Sequence, residues 1–262
     1  MLMQGTSPTV ALSAVSKSYG DVTALNNVDL EIFPGHIFGV LGPNGSGKST
    51  MLKLISSVIQ PDHGKVRVLG RDCSDEYVWV RHHVGFVPEN SVIYESLSAT
   101  EYLSLVSSVY GIETRTSRER ISALSDALAT SDIMDELVGS LSFGNRQKIS
   151  IIAALVHDPE VIILDEPTKG LDPRSFRIFK DVLSMLAKRG KTIVFSTHVL
   201  EIAEELCERL CIMYRGEIRA SGLVSDFVGT GKDRRRLEET FFRITGETSL
   251  ESLTRGVGRA FA

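Results

Sequence analysis

The stretch Gly42-Pro43-Asn44-Gly45-Ser46-Gly47-Lys48-Ser49-Thr50 fits G-x-x-x-x-G-K-[ST], a spacing that cradles a polyphosphate. Glycines let the backbone curl until several N–H groups face one anion. A helix starting at the loop adds its positive end, Lys48 a point charge and Ser49 a hydroxyl for a magnesium ion. The flanks agree with this reading. His36 to Leu41 is an apolar, buried-strand run, and Met51, Leu52, Ile55, Val58 and Ile59 recur at helical spacing. Farther on, Val161-Ile162-Ile163-Leu164-Asp165-Glu166 reads as an apolar strand ending in two carboxylates, at the edge where ligands of open α/β sheets gather. In a nucleotide site Asp165 can hold magnesium, directly or through water, and Glu166 can polarise a water for attack on the γ-phosphate. Alone, Glu166 reads better as a capping or surface acid, so its context has to decide.

That context is a fixed order of further motifs. Leu141-Ser142-Phe143-Gly144-Asn145-Arg146-Gln147 lies between the loop and the carboxylates, just ahead of the helical pattern Ile149, Ile152, Ala153, Val156. Asp172 follows in TKGLD, and Thr192 to Thr197 forms another apolar strand ending at His198. In this order the motifs resemble the ATP-binding cassette family, specifically the ATPase subunit of ABC transporters, over Val10 to about Gly246. The resemblance implies an α/β fold: a P-loop NTPase (RecA-like) core, an N-terminal antiparallel β-subdomain and an inserted α-helical subdomain. It implies that Tyr19, in KSYG, stacks on adenine, where the residues alone allow an ordinary strand-end aromatic. Gly42, Asn44, Gly45, Ser46, Gly47, Lys48, Ser49 and Thr50 would bind the nucleotide. Ser49, Glu89 and Asp165 would hold the metal, and Glu166 and His198 would be catalytic. Ser142, Phe143, Gly144 and Asn145 form the signature, which acts in trans, and Asp172 anchors the D-loop. The expected ligands are ATP and Mg2+.

Three positions depart from the commonest family pattern. Glu89 stands where most relatives carry glutamine; a carboxylate is a stronger magnesium ligand than an amide but repels the γ-phosphate when the metal is absent. Phe143 and Asn145 replace the usual glycine and glutamine of the signature, while Ser142 and Gly144 are kept. The stretch Leu237 to Gly246 (LEETFFRITG) is similar to the tail of ATPases that export drugs, antibiotics or lipids, a group in which glutamate also occurs at the Q-loop. Export is therefore the expected direction; the alternatives are an importer ATPase and, further away, a soluble cassette protein without a transport role.

Composition sets bounds on partners. Over 262 residues the net charge is −4, which offers no electrostatic footprint for nucleic acid, so no nucleic-acid partner is expected. The run Arg234-Arg235-Arg236 is followed at once by Glu238-Glu239 and reads as a solvated, self-paired face. Cys73, Cys207 and Cys211 lack zinc spacing and read as reduced, mostly buried thiols. No apolar run reaches the length of a membrane span and the N-terminus lacks a signal pattern, so a membrane link must come through a partner. By resemblance the partners are a second ABC ATPase, in a homodimer or heterodimer, and integral membrane permease subunits. The expected location is the cytoplasmic face of the inner or plasma membrane, peripheral through those subunits.

The elements that must position these residues are also legible. Strands are expected over Thr9 to Val15, Val22 to Ile32 and Lys65 to Leu69. One ATPase domain is expected over 1–246, with a helical subdomain at about 88–159 and a tail at 247–262. Ser98-Ala99-Thr100-Glu101 is a capping-box pattern and Gly111 closes that helix. Ile121, Leu124 and Leu128 mark another amphipathic helix. Asp172 caps a helix with Pro173 in its first turn, Gly190 past its end, and a buried stripe of Phe176, Phe179, Leu183 and Leu186. Tyr214-Arg215-Gly216-Glu217 reads as a hairpin turn, and Val92, Ile93 and Tyr94 are the candidate surface for membrane subunits.

Overall fold

The computed structural model describes residues 7–90, 93–228 and 237–246. Val92, the basic run at 234–236 and the tail at 247–262 lie outside them. The N-terminal strands β1 (Val10–Tyr19) and β2 (Val22–Ile32) pair antiparallel, and β4 (His63–Val68) and β5 (Arg71–Asp72) complete a four-stranded sheet in the order β2-β1-β4-β5. The second sheet has six strands. Its centre is β3 (Ile37–Leu41), flanked by β8 (Thr192–Thr197) and β9 (Arg209–Tyr214); β7 (Val161–Asp165), β6 (Val84–Val87) and the edge strand β10 (Glu217–Leu223) complete it. Only the β9–β10 pair is antiparallel; β9, β3, β8, β7 and β6 run parallel. Every residue of β3, β7 and β8 is buried, which explains why these strands read as continuous apolar runs rather than alternating ones.

Helix α1 (Lys48–Ile55) leaves β3 through the glycine-rich loop and wedges between the two sheets, touching β2 and β4 of one and β7 and β8 of the other. Met51, Leu52, Leu54 and Ile55 are fully buried there, each contributing about 1.5–3 kcal/mol by leaving water. The loop is thus anchored on a rigid element. The helix stops earlier than its apolar periodicity suggests. Ser57 takes a left-handed φ of 54°, and the Val58 N–H returns to the Lys53 carbonyl, so Val58 and Ile59 fall beyond the last turn. A short helix, α2 (Tyr77–His83), has no counterpart in the sequence reading.

Between Pro88 and Pro159 lie α3 (Ala99–Val109), α4 (Thr114–Ala127) and α5 (Phe143–Leu155). The capping box is present: Glu101 N–H donates to Ser98 Oγ, and Ser98 N–H donates to the Glu101 carboxylate. Gly111, at φ 69°, ends α3 as expected. Ile121 and Leu128 are buried, with Leu124 packed beside them. Helix α6 (Pro173–Lys188) begins at the Asp172 cap and buries Phe179, Val182, Leu183 and Ala187, with Phe176 and Leu186 at the margin of that stripe. The chain continues through α7 (Leu200–Leu206), α8 (Val224–Val228) and α9 (Leu237–Thr245). The LEETFFRITG tail is therefore a helix, seated on α7, α8 and β10 through Leu237 and Phe241.

Strand β1 runs on to Tyr19, past the expected end at Val15. Its alternation is broken near Ala14, at φ 49°, yet pairing with β2 resumes at Val15↔Val28 and ends at Tyr19↔Val22. The three cysteines are free and buried, as expected, and burial raises every thiol pKa, Cys73 to about 11 and Cys211 to about 12.

Candidate nucleotide site

The glycine-rich loop is held from behind. In the β9–β10 hairpin, Arg215 and Gly216 adopt φ 51° and 78°, the two positive angles of a type I′ turn. Gly216 N–H donates to the Ser46 carbonyl at 3.0 Å, and its carbonyl accepts from Asn26 N–H at 2.9 Å. The hairpin tip thereby ties the loop to β2. Gly47 turns into α1 at φ 104°, where any Cβ would overlap the Ala24 carbonyl. With glycine as cap, the first-turn N–H groups of α1 gain no side-chain acceptor and point outward.

Lys48 is almost fully buried. Its ammonium donates to the carbonyls of Gly42 (2.8 Å) and Pro43 (3.2 Å) and lies 3.9 Å from Glu166 Oε1. Burial lowers its pKa, opposed by the negative charges of Glu166, Asp165 and Glu89. One cation thus faces three carboxylates. A cavity of about 430 Å³ opens over the loop, lined by Asn44 to Thr50 together with Tyr19, Val22, Thr23, Ala24, Glu89 and Glu166. Tyr19 is half-exposed at its rim, with the Lys17 ammonium 5.9 Å from its ring centre.

Asp165 and Glu166 come from the β7 end, and a residue not singled out in the sequence bonds to the carboxylate of the first and the backbone of the second. Parallel pairing puts Ser196 of β8 opposite Asp165. Its hydroxyl donates to Asp165 Oδ1 at 2.6 Å and accepts the Glu166 N–H at 3.0 Å, with Ser196 wholly buried. Glu166 sits at φ 49°, a left-handed angle costly for a residue with a Cβ, of a kind that clusters at functional sites. Its Oε1 meets His198 Nδ1 at 2.9 Å. The order strand, Asp165-Glu166, strand, His198 therefore converges in space as the motif order implied.

Glu89 reaches the cavity from the segment after β6, but its carboxylate is paired with Lys169 Nζ at 3.0 Å. Lys169 was not singled out in the sequence either. Ser142, Phe143, Gly144 and Asn145 lie elsewhere. Ser142 caps α5, accepting the Asn145 N–H on its Oγ (3.2 Å), and none of the four lines the cavity. Phe143 remains half-exposed and covers Gly170, where a Cβ would overlap its ring. Asp172 is absent from the cavity lining and serves α6: Ser175 Oγ and the N–H groups of Ser175 and Arg174 donate to it, holding its carboxyl down at about 2.

These residues fit a nucleoside triphosphate with magnesium. A Cβ at Gly42 would fill the cradle against Ser46 and Met213, and Ser46 Oγ is buried without a hydrogen-bond partner among the described residues. Among the described residues no three His, Cys, Asp or Glu side chains form a metal cage. A hydroxyl and one or two carboxylates, completed by phosphate oxygens and water, are what Mg2+ takes.

Comparison with known proteins agrees. The ABC transporter family model matches residues 25–169, and a model described as an AAA domain, putative AbiEii toxin, Type IV TA system matches residues 136–204. The Nod factor export ATP-binding protein I of Rhizobium sp. (strain N33) is 35% identical over 224 residues, 84% of this chain and 74% of that protein. The daunorubicin/doxorubicin resistance ATP-binding protein DrrA of Streptomyces peucetius is 32% identical over 252 residues, 94% and 76% of the two chains. Among solved structures, an ATP-binding subunit of an ABC transporter superposes with a TM-score of 0.84 at 27% identity, covering 90% of this chain and 99% of that one. The cassette MJ0796, as a post-hydrolysis dimer bound to ADP and Pi, gives 0.77 at 29% identity over 82% and 98%. CbiO1 from Clostridium perfringens, part of the transporter complex cbiONQ, gives 0.74 at 25% over 84% and 90%. A glycine-rich loop buttressed by a hairpin, two carboxylates at the end of β7 and a histidine on the Glu166 carboxylate, together with these matches, make the chain a member of the ABC transporter family, an ATPase cassette that works on ATP with Mg2+.

Proposed function

We propose that this cassette powers export of a substrate across a membrane, hydrolysing ATP in sites shared between two head-to-tail copies of the chain. The observation that carries the shared-site reading is one-sidedness. The loop and Glu166 line one cavity, with His198 on the Glu166 carboxylate and Asp165 buried just before it, whereas the Ser142 helix start contributes nothing to that lining. A helix N-terminus suits an anion, and in this reading it receives the γ-phosphate bound by the opposite chain. Cassettes of this family dimerise and work with membrane subunits. Among the described residues no helix is long and apolar enough to cross a membrane. Export follows the names of the relatives and the acidic–aromatic tail helix α9. Residues 1–246 act as one ATPase unit, with 88–159 as its helical part, on the cytoplasmic face of the membrane. Of the candidate contact residues, Tyr94 is exposed and belongs to the surface that meets the permease, whereas Ile93 is buried in the core and does not.

In the proposed roles, Tyr19 stacks on the base, and Gly42, Asn44, Gly45, Ser46, Gly47, Lys48, Ser49 and Thr50 hold the phosphates. Ser49, Asp165 and Glu89 hold Mg2+, which supplies charge neutralisation at the phosphoryl group. Glu166 accepts the proton of the attacking water on Oε2, its Oε1 being engaged by His198. Buried beside Lys48 and met by His198 on Oε1, with its backbone held by Ser196, the carboxylate is oriented before ATP arrives. Asp172 fixes the turn that leads into α6.

Glu166→Gln keeps the shape and removes the base. Hydrolysis should fall by about 10²–10⁴-fold while ATP binding persists, so that sizing with ATP shows an accumulated dimer. Turnover at the wild-type rate would move the role to another residue. Copurification of the tagged chain with an integral membrane protein tests the transport half of the reading; a chain that never brings one down argues for a soluble role.

A further inference from the structure

We propose that Lys169 is a positioning residue for the metal. It holds the Glu89 carboxylate and cancels its charge while the cavity lacks Mg2+, and it yields Glu89 when the ion arrives with the triphosphate. This rests on the assignment of the cavity as an ATP site.

The pairing follows from the sheet. Strands β6 and β7 are parallel neighbours in register at Val87↔Leu164, so the segments leaving their C-terminal ends emerge side by side. Glu89 comes two residues after β6, and Lys169 three residues after Glu166. The turn carrying Lys169 is fixed. Lys169 N–H donates to the Glu166 carbonyl (3.2 Å), Leu171 N–H donates to the Thr168 carbonyl (3.2 Å), and Gly170, at φ 76°, lies under the Phe143 ring. Its ammonium then reaches Glu89 Oε1 at 3.0 Å, across 80 positions of sequence.

Both partners are substantially exposed, so the pair adds little to stability. Its consequence is for charge at the site. Glu89, Asp165 and Glu166 all act on Lys48, and without Lys169 a metal-free triphosphate would meet three carboxylates and one cation. With Lys169 in place, the Glu89 charge is balanced. The same ammonium competes with Mg2+ for Glu89. Removing it should therefore shift two equilibria in opposite directions: metal-free ATP binds more weakly, and less Mg2+ is needed for half-saturation. At these separations in a solvated cavity each shift should be about three- to tenfold.

The test uses the full chain and calorimetry with ATP in EDTA, followed by a Mg2+ titration of binding at fixed ATP. Lys169→Gln should raise the metal-free ATP Kd and lower the Mg2+ midpoint, and Lys169→Arg, which keeps the cation, should restore both. In a Glu89→Gln background, Lys169→Gln should move neither. Shifts in one direction only, shifts that persist without Glu89, or no shift at all would overturn the proposal. A wild-type chain that fails to bind ATP with Mg2+ would instead overturn the assignment of the cavity.

Discussion

Ser196→Ala is the most informative small change in the site, because one hydroxyl satisfies two buried groups at the end of β7. The alanine keeps the Cβ and removes only an oxygen. What it leaves behind is Asp165 Oδ1 without its 2.6 Å donor and the Glu166 N–H without its 3.0 Å acceptor, at a position wholly closed to water. An orphaned buried polar group costs about 1–3 kcal/mol, more when charged, and the relief of burying one hydroxyl fewer offsets about 1 kcal/mol of that. The net loss should be about 2–4 kcal/mol, a large share of a domain stability of about 5–15 kcal/mol.

Ser150→Ala is the matched comparison. Ser150 is also buried, on α5, but its Oγ has no hydrogen-bond partner among the described residues, so its removal should change stability by less than about 0.5 kcal/mol or raise it. Urea unfolding of both variants without nucleotide reads the difference directly. Hydrolysis by Ser196→Ala should also fall by more than the population of unfolded chain explains, since the left-handed Glu166 loses the bond that fixes it. If Ser196→Ala costs no more than Ser150→Ala, the coupling of Asp165 and Glu166 through β8 is wrong.

Ser142→Arg should leave ATP binding to the isolated chain unchanged and cut hydrolysis by about 100-fold or more, because in the proposed shared site the guanidinium would fill the place of the partner's phosphate; normal turnover would remove the shared-site reading. His157, stacked on Tyr110 at 3.8 Å, has its pKa lowered to about 4, mainly by burial and further by the nearby His82 and Arg120 charges. A histidine that the fold keeps neutral is protonated first in the unfolded chain, so its contribution is intact above about pH 6.5 and is lost as pH falls towards 4. His157→Phe, which keeps the stack, should flatten the urea midpoint against pH in that window by about 1–2 kcal/mol, discounted for partial exposure; identical profiles for both proteins would refute it.

Local signals were legible because they act over a few residues. The Ser98 capping box, the Asp172-Pro173 helix start, Gly111 and the Tyr214–Glu217 turn each depend on backbone chemistry that the residue types report directly. The loop, the carboxylate strand and His198 were legible because their spacing encodes a strand–turn–helix or a strand end. What escaped was pairing across the sheet. Ser196 lies 31 residues from Asp165, and Lys169 lies 80 from Glu89, and only the register of β6, β7 and β8 brings them together. A serine next to the end of an apolar strand was the one hint of the first. The early end of α1 escaped because Ser57 adopts a backbone angle that its residue type does not announce. The continuation of β1 escaped because an irregularity at Ala14 breaks the alternation that marks a strand.

Two of the three departures from the common family pattern converge on one turn. Phe143, large where glycine is usual, is tolerated because Gly170 offers a surface without a Cβ, and Gly144 lies close enough that a Cβ there would overlap the Gly170 carbonyl. Glu89, charged where an amide is usual, is balanced by Lys169, the residue just before Gly170. The turn itself hangs from the Glu166 carbonyl through the Lys169 N–H. In the proposed exchange, a rearrangement of Glu89 on metal binding would pull on a segment bonded to the Glu166 backbone on one side and packed under Phe143 on the other. Substituting Glu89 or Phe143 alone should consequently disturb more than its own position, and the two changes together should not add.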